Sequence, residues 1–267
     1  MKPIHDSEAI ARAYTRIADH YDGSVEGDAW MRQILWDRYL TLFRPGQHVL
    51  DVGCGTGLDA LFLARQGIRV TGIDISPGMI ARLQAKAQQE NLTDRVKTMT
   101  LAHSELSALL PKRFDGIYSA FAGLNTTPTL DGFAVDAARL LHPNGRLIIH
   151  VLNRFSLWEW LTLIRRGRLA EAAGLRRQSE RLFMIGGQPV RHYMSFPRQT
   201  YRRSFAAYFT LDACYGLGCL IPPHDMTWIP ARVIKTLGAL EQRVRSWRPF
   251  VQCGRFFTLE MTRRTDG

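Results

Sequence analysis

The sequence feature that most constrains the fold is the pattern Asp-x-Gly-x-Gly-x-Gly at residues 51–57. The largely apolar residues 48–52 fit a buried parallel strand, and three alternate glycines let the backbone turn tightly with no side chain in the way of a ligand. Residues 58–66 have a helix-forming composition, and Gly67 is predicted to end that helix. The stretch therefore predicts a strand, a ligand-binding turn and a helix of an α/β fold.

The glycine spacing argues against two well-known phosphate-binding loops. The dinucleotide fingerprint needs glycine at position 58, where Leu58 stands, and the Gly-Lys-Ser/Thr ending of a P-loop is missing. Asp51 would repel a pyrophosphate but suits a ligand that carries an ammonium or sulfonium group. The next predicted strand ends in Asp74, roughly 20 residues past the loop, where a carboxylate meets ribose hydroxyls in nucleotide-binding folds. The pattern predicts a ligand with a ribose and no phosphate.

These two segments resemble motif I and the acidic second-strand motif of class I S-adenosylmethionine-dependent methyltransferases of the small-molecule type. Residues 73–79, 114–119 and 140–147 extend the resemblance, which covers residues 10–155 well and the remainder loosely. It implies a Rossmann-like, doubly wound α/β sheet of seven strands, mostly parallel with an antiparallel last strand. It also implies S-adenosyl-L-methionine as the cofactor.

The resemblance assigns roles to single residues. The glycines would let the backbone approach the methionine part, Asp51 would balance its ammonium through water, and Asp74 would take the ribose hydroxyls. Family members usually place an aspartate soon after the third strand to receive the adenine amino group; this chain has no aspartate there, so adenine recognition falls to backbone, His103 or Ser104. The residues predicted to bind the cofactor are Tyr14, Tyr21, Asp51, Gly53, Gly55, Thr56, Gly57, Asp74, Ile75, Met79, His103, Ser104 and Phe121.

Hydrophobic periodicity predicts the remaining elements. Helices are expected at residues 7–21, 30–43, 76–90, 130–141, 198–208 and 231–246, and strands at 96–101, 116–121, 146–152, 211–217 and 255–263. We expect one methyltransferase domain over residues 1–267, with an N-terminal helical cap at 1–44. Tyr14 and Tyr21 share one face of the first helix, where they either cover the ligand or only pack in the core.

Residues 154–197 are predicted to form a lid inserted after the fifth strand, with an amphipathic helix at 156–164 and a hairpin at 181–195. Ten arginines lie between positions 165 and 203, against two acidic residues. Arginines suit a carboxylate or phosphate and the lid aromatics suit a flat or apolar body, although a solvated basic face with core aromatics explains them equally. The residues predicted to bind substrate are Asn125, Arg154, Trp158, Arg191 and Tyr193.

Methyl transfer from a sulfonium is an in-line displacement that needs orientation and exclusion of water, and no covalent catalysis. An oxygen acceptor gains from a general base, whereas an amine needs only to arrive neutral. Since no histidine has an orienting partner visible in the sequence, the catalytic residue is left unassigned. His103, His192 and His224 are the first histidines to test.

The formal charge of +11 fits nucleic acid, anionic lipid or an acidic small substrate as a partner. The Asn/Asp-Pro-Pro-aromatic motif of base methylases is missing after the fourth strand, and no RNA-binding module is evident, so nucleic acid is not the expected partner. Three hypotheses stand: a methyltransferase acting on oxygen or nitrogen of a small acidic or aromatic metabolite, as in secondary metabolism; an RNA methyltransferase; and a non-catalytic cofactor-binding or membrane-surface module.

The remaining expectations follow from composition. The four cysteines show neither a C-x-x-C pair nor a histidine at metal-ligand spacing, so buried thiols and no metal site are expected. The start lacks an apolar signal region, and no apolar run approaches the roughly 18 residues of a spanning helix. A cytoplasmic monomer or homodimer is therefore expected, with no transmembrane segment and with peripheral membrane contact left open.

Overall fold

A computed structural model of the chain describes residues 7–223, 226 and 229–265. Its centre is a seven-stranded sheet with the order β3-β2-β1-β4-β5-β9-β8. Its strands are β1 (His48–Val52), β2 (Arg69–Asp74), β3 (Val96–Thr100), β4 (Phe114–Ser119), β5 (Leu141–Leu152), β8 (Phe209–Leu217) and β9 (Phe256–Arg263). Strands β1 to β5 pair in parallel, while β9 is antiparallel to both neighbours. The predicted mostly parallel sheet with an antiparallel last strand is confirmed.

Helices cover both faces of the sheet. The helices are α1 (Ser7–Ile17), α2 (Tyr21–Ser24), α3 (Ala29–Leu42), α4 (Leu58–Arg65), α5 (Pro77–Gln89), α6 (Asp131–Leu140), α7 (Leu157–Arg165), α8 (Leu169–Gly174), α9 (Pro197–Thr200) and α10 (Ala231–Val244). Helices α3, α4 and α5 contribute to one buried cluster, and α6 with the short 3-10 segment His103–Leu109 contributes to the other. Neighbouring strand residues alternate between the clusters, as Val49 and Leu50 do.

Local sequence explains where these helices begin and end. The Ser76 hydroxyl accepts the Met79 N–H at 3.2 Å, and Pro77 opens α5 without losing a backbone hydrogen bond. Helix α4 is followed by Gly67 at φ +80°, the left-handed conformation predicted for its end. Gly116 in β4 lets α3 pack closely, because a Cβ there would lie 2.2 Å from the Phe43 ring.

Three predicted element bounds were wrong. The first helix ends at Ile17 and the chain turns, because Asp22 then bonds to Thr56 and to the Lys86 ammonium. Helix α9 passes into one π turn at Tyr201–Phe205, since the Tyr201 hydroxyl donates to the Phe209 carbonyl and β8 starts early. Strand β5 begins at Leu141, which pairs with Phe114 ahead of a shift in register.

The lid comprises α7, α8 and a hairpin of β6 (Glu180–Ile185) and β7 (Gln188–Tyr193). It leaves the sheet at the carboxyl end of β5, as predicted, and its hairpin packs on the cap helix α1. A Cβ at Gly186, in the hairpin turn, would lie 2.5 Å from the Ala13 carbonyl of α1. Val190 of β7 is fully buried beside Ile10 and Ala13. The division into one domain, a cap and a lid stays a prediction.

The described residues contain neither a membrane-spanning helix nor a cluster of metal ligands. None of their helices has the length and apolar character needed to cross a membrane. No group of three or more histidine, cysteine or acidic residues among them lies close enough to hold a metal ion. All four cysteines are free thiols, and Cys219 and Cys253 lie side by side with their sulfurs 2.9 Å apart, a proximity that their sequence spacing did not predict.

Candidate active site

A cavity of about 320 Å³ opens at the carboxyl ends of the parallel strands, where open α/β sheets bind their ligands. Segments that follow β1, β2, β3 and β4 form its walls, and α1 with Tyr21 lies over it. The volume falls within the range of small-molecule sites. Of the residues predicted to bind the cofactor, the cavity wall includes Tyr14, Tyr21, Gly53, Gly55, Thr56, Asp74, Ile75, Met79, His103, Ser104 and Phe121.

The glycines of the loop have different roles. Gly53 at φ +74° and Gly55 at φ +53° line the cavity in conformations that favour glycine. A Cβ at Gly53 would lie 3.1 Å from the Gly123 Cα, so this glycine lets the loops after β1 and β4 meet. Gly57 does not line the cavity. Its Cβ would lie 2.1 Å from Leu83, so Gly57 is needed for α5 to pack against the loop.

Asp74 ties the glycine loop to the end of β2. Its Oδ2 accepts the Gly55 N–H at 2.9 Å and its Oδ1 accepts the Ser76 N–H at 2.8 Å. Burial raises the pKa of Asp74 while these two backbone hydrogen bonds oppose the rise. Each carboxylate oxygen keeps a lone pair for a further donor. The geometry suits two vicinal hydroxyls above the loop.

Asp51 lies beneath the loop and not on the cavity wall. It is 2% exposed, and its Oδ2 has no hydrogen-bond partner in the described structure. Burial and the neighbouring Asp59 raise its pKa. A buried carboxylate oxygen without a partner destabilises the fold unless a donor reaches it. The sequence predicted that Asp51 acts on the ammonium through water and not by direct contact. Its position beneath the loop fits that prediction.

Sequence reasoning missed a buried charge pair beside the loop. Arg32 of α3 donates to Asp59 of α4 at 2.5 Å, and the Trp36 indole N–H donates to the other oxygen of Asp59 at 2.6 Å. Arg32 also lies 4.2 Å over the Phe121 ring, and all of Arg32, Asp59 and Phe121 line the cavity. An arginine on the otherwise apolar face of a helix, in line with Leu35 and Tyr39, was the available signal.

Tyrosines from the cap lie on the glycine loop. The Tyr21 ring is close enough that a Cβ on Gly55 would contact it at 3.7 Å. Burial raises the pKa of Tyr21 to about 12 and raises that of Tyr14 further, so both phenols stay neutral. The Tyr14 hydroxyl lies 3.5 Å from His192 Nε2. Of the two alternatives that the sequence left open, covering the ligand or packing in the core, the place of Tyr14 and Tyr21 on the cavity wall favours the first.

The three candidate histidines have different surroundings. His103 lines the cavity, its Nε2 lies 3.3 Å from the Thr126 hydroxyl, and burial lowers its pKa. His192 lies behind α1, in the hairpin, and not on the cavity wall. His224 lies outside the described residues. A fourth histidine, His150, is fully buried and accepts the Phe121 N–H at its Nδ1.

None of the five residues predicted to bind substrate lines this cavity. Asn125 is buried with both ends of its amide occupied, since it accepts the Leu152 N–H and donates to the Tyr193 carbonyl. Tyr193 in turn donates its N–H to the Asn125 carbonyl at 2.7 Å. This exchange links the loop after β4 to the lid. The prediction for Asn125 is therefore corrected: its position is structural.

The other three are held within the lid. Arg154 stacks over Phe196 at 5.3 Å, and Arg191 pairs with Glu180 across the hairpin. Trp158 lines a second, larger cavity of about 1090 Å³ between α7 and β6. The predicted role of the lid as a direct cover is also corrected. The hairpin does not line the cofactor cavity: α1 lies between them on one side, and on the other Tyr193 contacts the loop after β4, which forms part of the cavity wall.

Comparison with known proteins shows what this chain is similar to. The model of the methyltransferase domain family matches residues 49–145. The chain is 37% identical over 150 residues to demethylmenaquinone methyltransferase of Tropheryma whipplei (strain Twist), covering 54% of this chain and 59% of that protein. It is 38% identical over 111 residues to ubiquinone biosynthesis O-methyltransferase of Xylella fastidiosa (strain 9a5c), covering 41% and 43%. The matches thus span less than two thirds of these relatives.

A solved structure supports the fold. The geranyl diphosphate C-methyltransferase of Streptomyces coelicolor A3(2), crystallised with S-adenosyl-L-homocysteine, superposes with a TM-score of 0.56 at 12% identity, over 87% of this chain and 79% of that one. The cavity fits the cofactor of such proteins. Asp74 offers a carboxylate to vicinal hydroxyls, the glycine loop lacks the spacing of phosphate-binding loops, and Asp51 beneath it has a buried oxygen without a hydrogen-bond donor. The chain is thus similar to class I S-adenosylmethionine-dependent methyltransferases, through the methyltransferase domain matched at residues 49–145 and through the fold.

Proposed function

We propose that the protein transfers a methyl group from S-adenosylmethionine to an oxygen or nitrogen atom of a small, ring-bearing molecule. The observation that carries this proposal is the single cavity in which the glycine loop, Asp74 and the loop after β4 meet. The names of the relatives, which refer to demethylmenaquinone and to O-methylation in ubiquinone biosynthesis, support a ring-bearing acceptor and favour oxygen.

The cavity has a distinct group for each part of the cofactor. Asp74 would accept the ribose hydroxyls, and the wall formed by Ile75, Met79 and Leu101–Ser104 would hold the adenine. The loop at 53–56 would hold the methionine part, and the Arg32 guanidinium is the cation available for its carboxylate. When bound, S-adenosylmethionine supplies an electrophilic methyl group on a sulfonium.

The chain itself supplies orientation and a dry site. Tyr14 and Tyr21 are neutral phenols over the loop, so they exclude water without placing an anion or cation beside the reacting atoms. Helix α1 is held down by a Thr15–Ser76 hydroxyl contact of 2.8 Å and by the hairpin on its outer side. The cap therefore fixes the geometry on which in-line transfer depends.

His103 is the proposed general base for a hydroxyl acceptor. Burial lowers its pKa, which favours the neutral imidazole that can accept a proton near pH 7. Thr126, from the loop after β4, orients the ring through Nε2. Among the described residues of the wall, the alternatives are occupied or neutral: Asp59 is bound by Arg32 and Trp36, and Asp74 holds two backbone N–H groups.

Calorimetry with S-adenosylhomocysteine tests the cofactor site first. We expect binding with one site per chain; no binding by the folded protein would overturn the proposal. Transfer of labelled methyl groups to a panel of catechols, hydroquinones and aromatic amines then tests the reaction, with product formation expected for a ring-bearing acceptor. Labelling of RNA and of none of the small molecules would contradict it.

The base is tested by His103→Gln. We expect kcat to fall at least about 100-fold with unchanged S-adenosylhomocysteine affinity, and the acidic limb of the pH–rate profile to disappear. His192→Gln is the matched control, since that histidine lies outside the cavity. The pH–rate profile of this variant should keep its acidic limb. If both variants keep the wild-type pH profile, His103 is not the base.

A further inference from the structure

The lid carries an apolar helix face that the described structure covers only in part. Helix α7 holds two tryptophans, three leucines and an isoleucine, yet none of its nine residues is buried. Leu161 and Ile164 are exposed by 40% and 36%. A helix with this composition is normally stabilised by burying its apolar face against a core. Apolar surface left exposed in this way by the described residues marks an interaction site.

Neighbouring lid elements also expose apolar side chains. Leu169 of α8 is 62% exposed, and Leu182, Phe183 and Met184 of β6 are 53%, 38% and 66% exposed. The side chains of α7 and β6 face each other across the second cavity, which is lined by Leu161, Ile164, Leu182 and Phe183 among others. We call the apolar residues Trp158, Leu161, Ile164, Leu169, Leu182, Phe183 and Met184 together the lid face. Because side chains alternate along β6, Leu182 and Met184 lie on the opposite side of that strand from Phe183.

Arginines surround the lid face. Arg165, Arg166 and Arg168 line the same cavity as its apolar residues, and Arg176 and Arg177 follow α8; all five are exposed. Arg168 pairs with Glu171, but among the described residues no carboxylate lies within ion-pair range of Arg166 or Arg177. The surface thus combines insertable apolar side chains with excess positive charge.

We propose that the lid face docks on a bilayer surface that carries anionic headgroups. Its leucines, Phe183 and Met184 would enter the boundary between headgroups and acyl chains, and the arginines would pair with lipid phosphates. The apolar centre and basic rim of the lid face thus complement the acyl chains and the anionic headgroups of such a bilayer. This inference does not depend on the proposed methyl transfer.

Two other occupants fit less well. A second copy meeting the face in a two-fold dimer would bring the same arginines together, because such an interface uses one patch twice. Like charges would then oppose the apolar contact. Nucleic acid would neutralise the arginines but would leave aliphatic residues such as Leu161, Leu169 and Met184 without an apolar partner, since nucleic acid offers phosphates and base faces.

Co-sedimentation of the full chain with phospholipid vesicles tests the proposal. We expect binding to vesicles of phosphatidylcholine mixed with phosphatidylglycerol, weakening as salt rises, and little binding to phosphatidylcholine alone. Phe183→Glu combined with Leu161→Glu, and separately Arg166→Glu combined with Arg177→Glu, should each weaken binding at least about tenfold. Circular dichroism and S-adenosylhomocysteine affinity should stay unchanged, because these side chains lie outside the cofactor cavity.

Matched controls come from outside the lid. Met99→Glu changes an apolar residue of 37% exposure on β3, against 38% for Phe183, and Arg113→Glu reverses a charge on an exposed arginine before β4. Both controls should bind vesicles like the wild type. Equal loss in controls and lid variants, equal binding to neutral and anionic vesicles, or a solution dimer that the lid variants dissociate would each overturn the proposal.

Discussion

The cofactor cavity and the lid face have opposite constructions. In the cavity, charged groups are paired at short range and buried: Arg32 and Asp59 are 8% and 7% exposed. In the lid, ion pairs such as Arg191–Glu180 are exposed at the surface, and apolar residues such as Leu169 face outward. The first region encloses its charged groups in one fixed geometry, whereas the second presents apolar side chains at the surface of the described structure.

The two regions should therefore differ in how strongly a substitution lowers the free energy of unfolding. Buried pairs and close-packed glycines tolerate little change, because each neighbour lacks room or solvent to compensate. Exposed pairs and open turns tolerate much more. Paired substitutions, one in each region, therefore test whether the cofactor cavity is less tolerant of change than the lid.

Removing one partner of a charge pair should give the largest difference in stability loss between the two regions. Arg32→Leu leaves the Asp59 carboxylate buried without its cation, and we expect the free energy of unfolding to fall by about 3–5 kcal/mol. Arg191→Leu removes the partner of Glu180, whose side chain is 43% exposed, and should cost less than about 1 kcal/mol. Urea denaturation measures both. Equal losses would mean that the cavity pair is as well solvated as the lid pair.

Two glycines with positive φ allow a comparison of packing. Gly57→Ala forces a Cβ to within 2.1 Å of Leu83 at φ +85°, so strain and overpacking together should cost about 2–4 kcal/mol. Gly187→Ala in the hairpin turn has φ +77° but open space around it, so only the backbone term of about 1–2 kcal/mol applies. Thermal unfolding followed by circular dichroism checks the order. The two losses become equal if Leu83 moves aside freely, because only the backbone term then remains at Gly57.

The sequence predicted the cavity region well because its signals are local. The glycines, the carboxylate at the end of β2 and the Ser76-Pro77 helix start each specify the conformation of their own few residues. Strand alternation specifies which side chains of β1 meet each helical layer. Eleven of the thirteen residues predicted to bind the cofactor accordingly line one cavity.

The errors fall where the deciding partner is far away in the chain. Asn125 was expected at a binding edge, but its amide is occupied by Leu152 and Tyr193. Arg32 was passed over because its partner Asp59 belongs to another helix. No periodicity reveals such partners, since they depend on how two elements cross. The same reason applies to Arg154 and Arg191, which were predicted to bind substrate but contact Phe196 and Glu180 instead.

Asp74→Asn tests the cofactor cavity without a large packing change. The amide cannot accept both N–H groups, from Gly55 and Ser76, so the loop loses one anchor and the ribose hydroxyls lose a charged acceptor. We expect S-adenosylhomocysteine affinity to fall about 100-fold, which is about 2–3 kcal/mol. Glu180→Gln in the lid is the control and should leave the calorimetric affinity unchanged. Comparable weakening by both would remove the distinction between the regions.

The smallest predicted effect is a dependence of stability on pH that originates at His150, next to the cavity. Burial lowers the pKa of this histidine to about 3, and its Nδ1 accepts the N–H of Phe121, so the folded protein holds the neutral ring. The unfolded chain binds a proton with a pKa near 6.5. Stability from this group is therefore complete above that value and declines as pH falls towards the folded pKa, because only the unfolded state gains a proton.

Between about pH 7.5 and pH 5 this single group should lower the free energy of unfolding by about 2 kcal/mol. Urea titrations of the wild type and His150→Phe at both pH values measure it. The variant has no proton to bind at this position, so its loss between the two pH values should be smaller by that amount, whatever its absolute stability. The lid variant Arg191→Leu should keep the full wild-type dependence. If His150→Phe keeps it as well, the acid sensitivity arises elsewhere, and the cavity region is not the more pH-sensitive of the two.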